Sequence, residues 1–177
     1  SINSNEISKL FKWIIGLTGA FATIVSILFI SSLEFPKSIG SKSLVLRDST
    51  ATVIAFGEGM KKRLLVNGWG MTGLTPITKM MAHLPLSIRN KKPESALIIA
   101  LGMGTTLRSA SSWGIEVKCI ELVPSVLKAF PYFFKDAKSV LDRPNVEVII
   151  DDGRRFLNRT QGKYDACLLY TSDAADE

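Results

Sequence analysis

Residues 96–121 read ALIIALGMGTTLRSASSWGIEVKCIE, and this stretch decides the fold. The apolar run Ala96–Leu101 has the length of a fully buried strand. Gly102-Met103-Gly104 breaks it, and Thr105 onward suits a helix as far as Trp113. Gly114 stands where a helix C-cap would. A second apolar strand, Val117–Ile120, ends on Glu121. Strand, glycine turn, helix, strand and acid make the first half of a nucleotide-binding α/β unit. Glycine lets backbone approach a ligand, and a carboxylate at the second strand's end can accept hydrogen bonds from two ribose hydroxyls. Glu121 follows the second glycine by 17 residues. A third glycine of the dinucleotide fingerprint would fall at 107, where Leu107 stands, so NAD and FAD lose ground. A merely tight turn with a solvated Glu121 is the competing reading.

Outward from this unit, Asn145–Ile150 reads as a third strand, ending in Asp151-Asp152-Gly153. Acids at the carboxyl end of a parallel strand stand where ligands bind in such sheets. Between them, Pro124 opens a helix expected to run to Val140, burying Val126, Leu127, Phe130, Phe133 and Phe134. Arg154 starts a short helix, and Tyr164-Asp165-Ala166 a fourth strand. Upstream, Thr50–Phe56 and Arg63–Asn67 read as paired strands, with a turn signal at Asn67-Gly68. Thr75-Pro76 opens a helix with Thr75 as N-cap, running through Ile77, Met80, Met81 and Leu84 to Pro85.

The 177 residues have room for one α/β domain and something extra, and 46% are hydrophobic. Trp13–Leu33 holds 21 residues without a charge. As a helix it reaches roughly 30 Å, the thickness of a bilayer core, so a transmembrane helix is expected. A signal peptide fits poorly, because no small-x-small cleavage site follows. Gly16 and Ala20, Gly19 and Thr23, and Ala22 and Ser26 recur at helical spacing. They suit packing against other membrane helices, or are incidental on a single anchor. Net charge is +6. Without basic–aromatic interleaving this does not indicate nucleic acid; anionic headgroups or plain solvation account for it. Two cysteines and one histidine, His83, give neither a disulfide framework nor a metal site. The expected organisation is a polar lead-in (1–12), the membrane helix (13–33), a linker (34–43), a β-hairpin unit (44–70), a helix and connector (71–94), an incomplete Rossmann-like domain (95–166) and a tail (167–177).

The hairpin entry, LTPITKMMAHLPL (74–86), LGMGTTLRSA (101–110), Glu121, IIDDGRRFL (149–157) and Tyr164-Asp165 together resemble the spermidine synthase family. The likeness covers about residues 44–166 and is greatest to bacterial members fused behind a membrane transporter-like domain. It implies a methyltransferase-type fold, a bacterial inner-membrane location and a cytoplasmic α/β domain. It also implies transfer of an aminopropyl group from decarboxylated S-adenosylmethionine to an amine acceptor. By the same resemblance Gly102, Met103 and Gly104 form the loop against the nucleoside and thioether, Glu121 holds the ribose, and Asp152 with Gly153 receives the adenine.

The chain departs from the family pattern at three places. An Asp usually lies between the glycines and binds the aminopropyl ammonium. Met103 stands there and cannot pair with a cation, which favours S-adenosylmethionine itself as donor and methyl transfer as the alternative reaction. The segment before the His83 helix lacks the usual acids, with Gly73 and Leu74 near their places. The fourth strand should lead to an Asp that deprotonates the amine. The chain instead ends CLLYTSDAADE (167–177), which resembles a translated sequencing adapter and is expected not to be native. The catalytic Asp, the general base, is therefore expected beyond Ala166, in sequence not present here. Asp165 is expected to be structural. A nucleoside-binding sensor without catalysis, attached to a membrane bundle, is the reading from another class.

Overall fold

The computed structural model describes residues 4–31 and 42–169. The chain divides into two units, residues 1–39 and 40–177.

The described residues of the first unit form one helix, α1 (Ser4–Ser31). The expected polar lead-in is therefore helical from Ser4. Among the described residues no helix is long and apolar enough to cross a membrane, so the expected span at 13–33, with its proposed helix partners, finds no support. Glu6, Lys9 and Lys12 fall in the first turns of α1. Residues 32–33 and most of the expected linker lie outside the described residues.

The second unit opens with an antiparallel meander, β1 (Leu44–Arg47), β2 (Thr52–Phe56), β3 (Arg63–Val66) and β4 (Trp69–Gly73). Asn67-Gly68 makes the two-residue turn between β3 and β4, both residues at positive φ, as the sequence signal requires. The β unit thus reaches Gly73 rather than 70. Val53, Ala55 and Leu64 bury one of its faces.

α2 (Pro76–Ser87) follows. Thr75 has the extended backbone of an N-cap but makes no capping bond with its side chain. The helix passes Pro85, because Ile88 N–H still reaches the Leu84 carbonyl at 3.1 Å. Its buried side chains are Ala82 and Leu86, whereas Ile77, Met80 and Leu84 are exposed.

The α/β part runs β5 (Ser95–Ile99), α3 (Thr105–Ser111), β6 (Glu116–Glu121), α4 (Pro124–Phe133), α5 (Ala137–Leu141), β7 (Val146–Ile150), α6 (Gly153–Arg159) and β8 (Ala166–Leu169). The strands form a parallel sheet in the order β7-β6-β5-β8. The single helix expected over 124–140 is two. Pro131 removes a backbone donor inside α4, and Phe134 is extended, so the chain restarts at Ala137. Val126, Phe130 and Phe133 are buried as expected. The fourth strand begins at Ala166 and includes Cys167, Leu168 and Leu169 of the expected tail; residues 170–177 lie outside the described residues.

Alternation along each strand sorts side chains onto the sheet's two faces. Ala96, Ile98, Val117 and Cys119 join the main core with α3, α4 and α5. Leu97 and Ile120 form a smaller core with Phe156 of α6. Asp165 is structural, as expected. Its Oδ2 accepts the Glu94 and Ser95 N–H groups at 2.8 and 3.0 Å, and its Oδ1 meets Arg89 at 2.7 Å. Asp48 joins the meander to the α/β part: Oδ1 accepts the Thr50 and Ala51 N–H groups, and Oδ2 accepts Ser125 N–H at 2.7 Å.

Candidate functional site

Glu121 ends β6 and is buried, with 6% of its surface exposed. Its Oε2 accepts Leu101 N–H at 2.8 Å and its Oε1 accepts Val123 N–H at 2.9 Å. These two amides fix the carboxylate in orientation and leave one acceptor position on each oxygen for a ligand. It lines a cavity of about 370 Å³, a size that suits a small-molecule site. The α/β part contributes Ala100, Gly102, Leu122 and Val126 to the wall. The meander contributes Leu64, Val66, Met71 and Thr72. The cavity is apolar apart from the Glu121 end and a few hydroxyl and amide groups.

Gly102 (φ +56) faces this space: a Cβ there would have only the Thr72 methyl as a neighbour, at 3.9 Å. Gly104 serves differently. At φ +82, a Cβ would come within 2.1 Å of the Phe130 ring. That glycine is required by the core beneath the loop. Met103 is 3% exposed, belongs to the main core and also lines a narrow cleft at the loop. Thr72, Thr78, Thr105 and Thr106 line the same cleft. Glu121 is the only acid among the described residues lining either space.

Asp152 and Gly153 lie at the end of β7, beside β6, where Asp151 N–H donates to the Glu121 carbonyl at 3.0 Å. They line neither space. Asp152 is the N-cap of α6, its Oδ1 accepting Arg155 N–H at 2.7 Å, and Oδ2 has no hydrogen-bond partner among the described residues. Gly153 is explained by packing, since a Cβ would meet the Ile99 side chain at 2.5 Å. Asp151 is buried and ion-paired with Arg155 and Arg159. The Arg155 guanidinium holds its carboxyl below the usual range. Asp151 is therefore a structural anchor for α6.

Sequence reasoning missed Ala100. It lines the cavity at φ +73, a left-handed conformation uncommon for a residue with a Cβ. Its place directly ahead of the Leu101-Gly102 turn was the available signal. The meander's share of the wall was also missed, because alternating apolar residues in a strand do not announce which face meets a ligand.

A parallel sheet with its acid at the end of the second strand, a glycine loop after the first and an apolar cavity between them define a Rossmann-like domain of methyltransferase type. Residues 75–176 match the spermine/spermidine synthase domain, and the chain belongs to that family. It is 26% identical over 149 residues to a polyamine aminopropyltransferase of Thermococcus kodakarensis, covering 80% of this chain and 46% of the relative. It is 35% identical over 102 residues to putrescine N-methyltransferase 1 of Nicotiana tabacum, covering 55% of this chain and 27% of that one. The spermidine synthase structure from Thermotoga maritima shares the fold, with a TM-score of 0.63 at 20% identity over 73% of this chain and 48% of that one. A spermidine synthase bound to the transition-state analogue AdoDATO does so equally, at 0.63 and 21%, over 73% and 46% of the two chains. The chain spans less than half the length of each of these relatives.

Proposed function

We propose that this chain is the nucleoside-binding part of a spermidine synthase-like transferase. Its donor is a sulfonium nucleoside, decarboxylated S-adenosylmethionine or S-adenosylmethionine, bound with its ribose on Glu121. The observation that carries this reading is the buried Glu121 carboxylate, fixed by two backbone amides and lining the same apolar cavity as Gly102. In the reaction an acceptor amine attacks the carbon next to the sulfonium in line. A C–N bond forms, the C–S bond breaks, the thioether leaves, and the amine proton passes to a base. Most of the acceleration comes from holding the two partners in that alignment. The expected base, an Asp beyond Ala166, is not among the described residues, and Cys167–Leu169 supply none. Asp152 Oδ2 remains available for an adenine amino group. Membrane attachment is not part of this reading.

The burial of Met103 favours methyl transfer as the second reading. With no carboxylate at this position, nothing on the loop pairs with an aminopropyl ammonium, and the methyl donor needs no such contact. Calorimetric titration of the whole chain with both nucleosides tests the common ground and separates the two reactions. Saturable binding of either supports the site, and a preference for S-adenosylmethionine supports methyl transfer. Binding of neither overturns the proposal.

A further inference from the structure

A second cavity, of about 240 Å³, lies away from Glu121, walled by α2, by α3 with the turn after it, and by the segments flanking α5. Its lining is mostly polar. Lys79 and His83 come from α2, one turn apart; Arg108, Ser109 and Ser112 come from α3 and its end; Asp136 and Arg143 flank α5.

The cationic side chains are held in place. Arg143 Nη1 donates to Ser111 Oγ at 2.8 Å, and Ser111 Oγ in turn donates to the Arg108 carbonyl at 3.0 Å. Arg108 Nε meets both Asp136 oxygens, at 3.0 and 2.7 Å, while its guanidinium lies 5.1 Å from the Phe134 ring centre. The one carboxylate in the cavity is thus committed to Arg108. His83 Nδ1 accepts Trp113 Nε1–H at 2.9 Å, which places the neutral ring's proton on Nε2, as a donor. Lys79 and Arg143 have no carboxylate partner among the described residues. After Arg108 and Asp136 cancel, two positive charges remain beside a ring N–H, around a space larger than a single ion.

We infer that this cavity is a binding site for a phosphate-type dianion, the free ion or a small phosphomonoester. Arg143 supplies a planar fork, Lys79 a mobile charge and His83 a neutral donor, the mixture that suits a tetrahedral oxyanion. A carboxylate ligand would leave part of this donor set unused, and a cation would be repelled. The inference is independent of the transferase reading, since none of these residues lines the Glu121 cavity.

The test uses the whole chain and two probes, inorganic phosphate and glycerol 3-phosphate, titrated by calorimetry at constant ionic strength. Saturable binding of one equivalent is expected. Tighter binding of glycerol 3-phosphate would assign the site to a phosphomonoester, and equal or tighter inorganic phosphate to the free ion. Lys79→Gln, on the exposed side of α2, should fold normally and weaken binding about tenfold, as loss of one charge-assisted bond implies. Arg143→Lys keeps the charge but removes the fork and should also weaken it. Lys128→Gln, an exposed lysine outside the cavity, should change nothing. Absence of saturable heat with both probes, or equal affinity in all three variants, overturns the inference.

Discussion

Replacing Glu121 by Gln removes a charge while keeping the shape. Each carboxylate oxygen accepts one buried backbone N–H, from Leu101 at 2.8 Å and Val123 at 2.9 Å. Gln offers one oxygen and one NH2 group, so a donor must face one of these amides. The lost bond to a charged acceptor is worth roughly 1.5–3 kcal/mol. Domains of this size have about 5–15 kcal/mol in total. The variant should therefore fold, with a lower urea midpoint and an unchanged m-value. Nucleoside affinity should fall as well, because the ribose hydroxyls lose a charged acceptor; a further loss of about tenfold or more is expected. Equilibrium urea unfolding and calorimetric titration read the two effects separately. Unchanged stability would refute the amide geometry, and unchanged affinity in a folded variant would refute the ribose site.

Gly104→Ala should destabilise the fold by about 1–3 kcal/mol through overpacking against Phe130, with an added cost for left-handed backbone; thermal unfolding measures it, and Phe130→Leu in the same chain should recover part of the loss. Ala100→Gly should stabilise by up to about 1 kcal/mol, since glycine accepts φ +73 freely; a lower urea midpoint would contradict that. Asp48 is held well below the usual carboxylate range by its hydrogen bonds from Ser125 first, then Ala51 and Thr50. Asp151 is lowered by Arg155, and Asp165 by the Glu94 and Ser95 amides. In the unfolded chain these acids bind protons near pH 4, before the folded ones do. Their stabilisation is complete above that pH and lost as the pH falls through the lower folded values. Urea midpoints should thus be flat near neutrality and drop below about pH 4, less steeply in Asp48→Asn.

The α/β unit was legible because its signals reinforce one another. An apolar run, a G-x-G turn and a strand ending in an acid allow few arrangements, and Glu121 stands where that pattern puts it. The loop glycines were legible as glycines but not in role, since only the packed Phe130 shows that Gly104 answers to the core. For α2 the sequence offers two apolar faces. Ile77, Met80 and Leu84 are the larger residues, yet the close approach of α3 selects the side carrying the small Ala82 together with Leu86. The division of 124–140 into two helices was signalled by Pro131 and outweighed by the strength of the apolar period. Asp48 was illegible because its partners include Ser125, 77 positions away.

The wall around Glu121 is drawn from two sheets that share no strand, one antiparallel and completed by Gly73, the other parallel and begun at Ser95. The cavity exists only where these two sheets are docked. On the proposed reading, a nucleoside bound there would act as mortar between them, so that its affinity would report their docking. Added nucleoside should then slow limited proteolysis within the 74–94 connector, even though no residue from 74 to 94 lines the cavity.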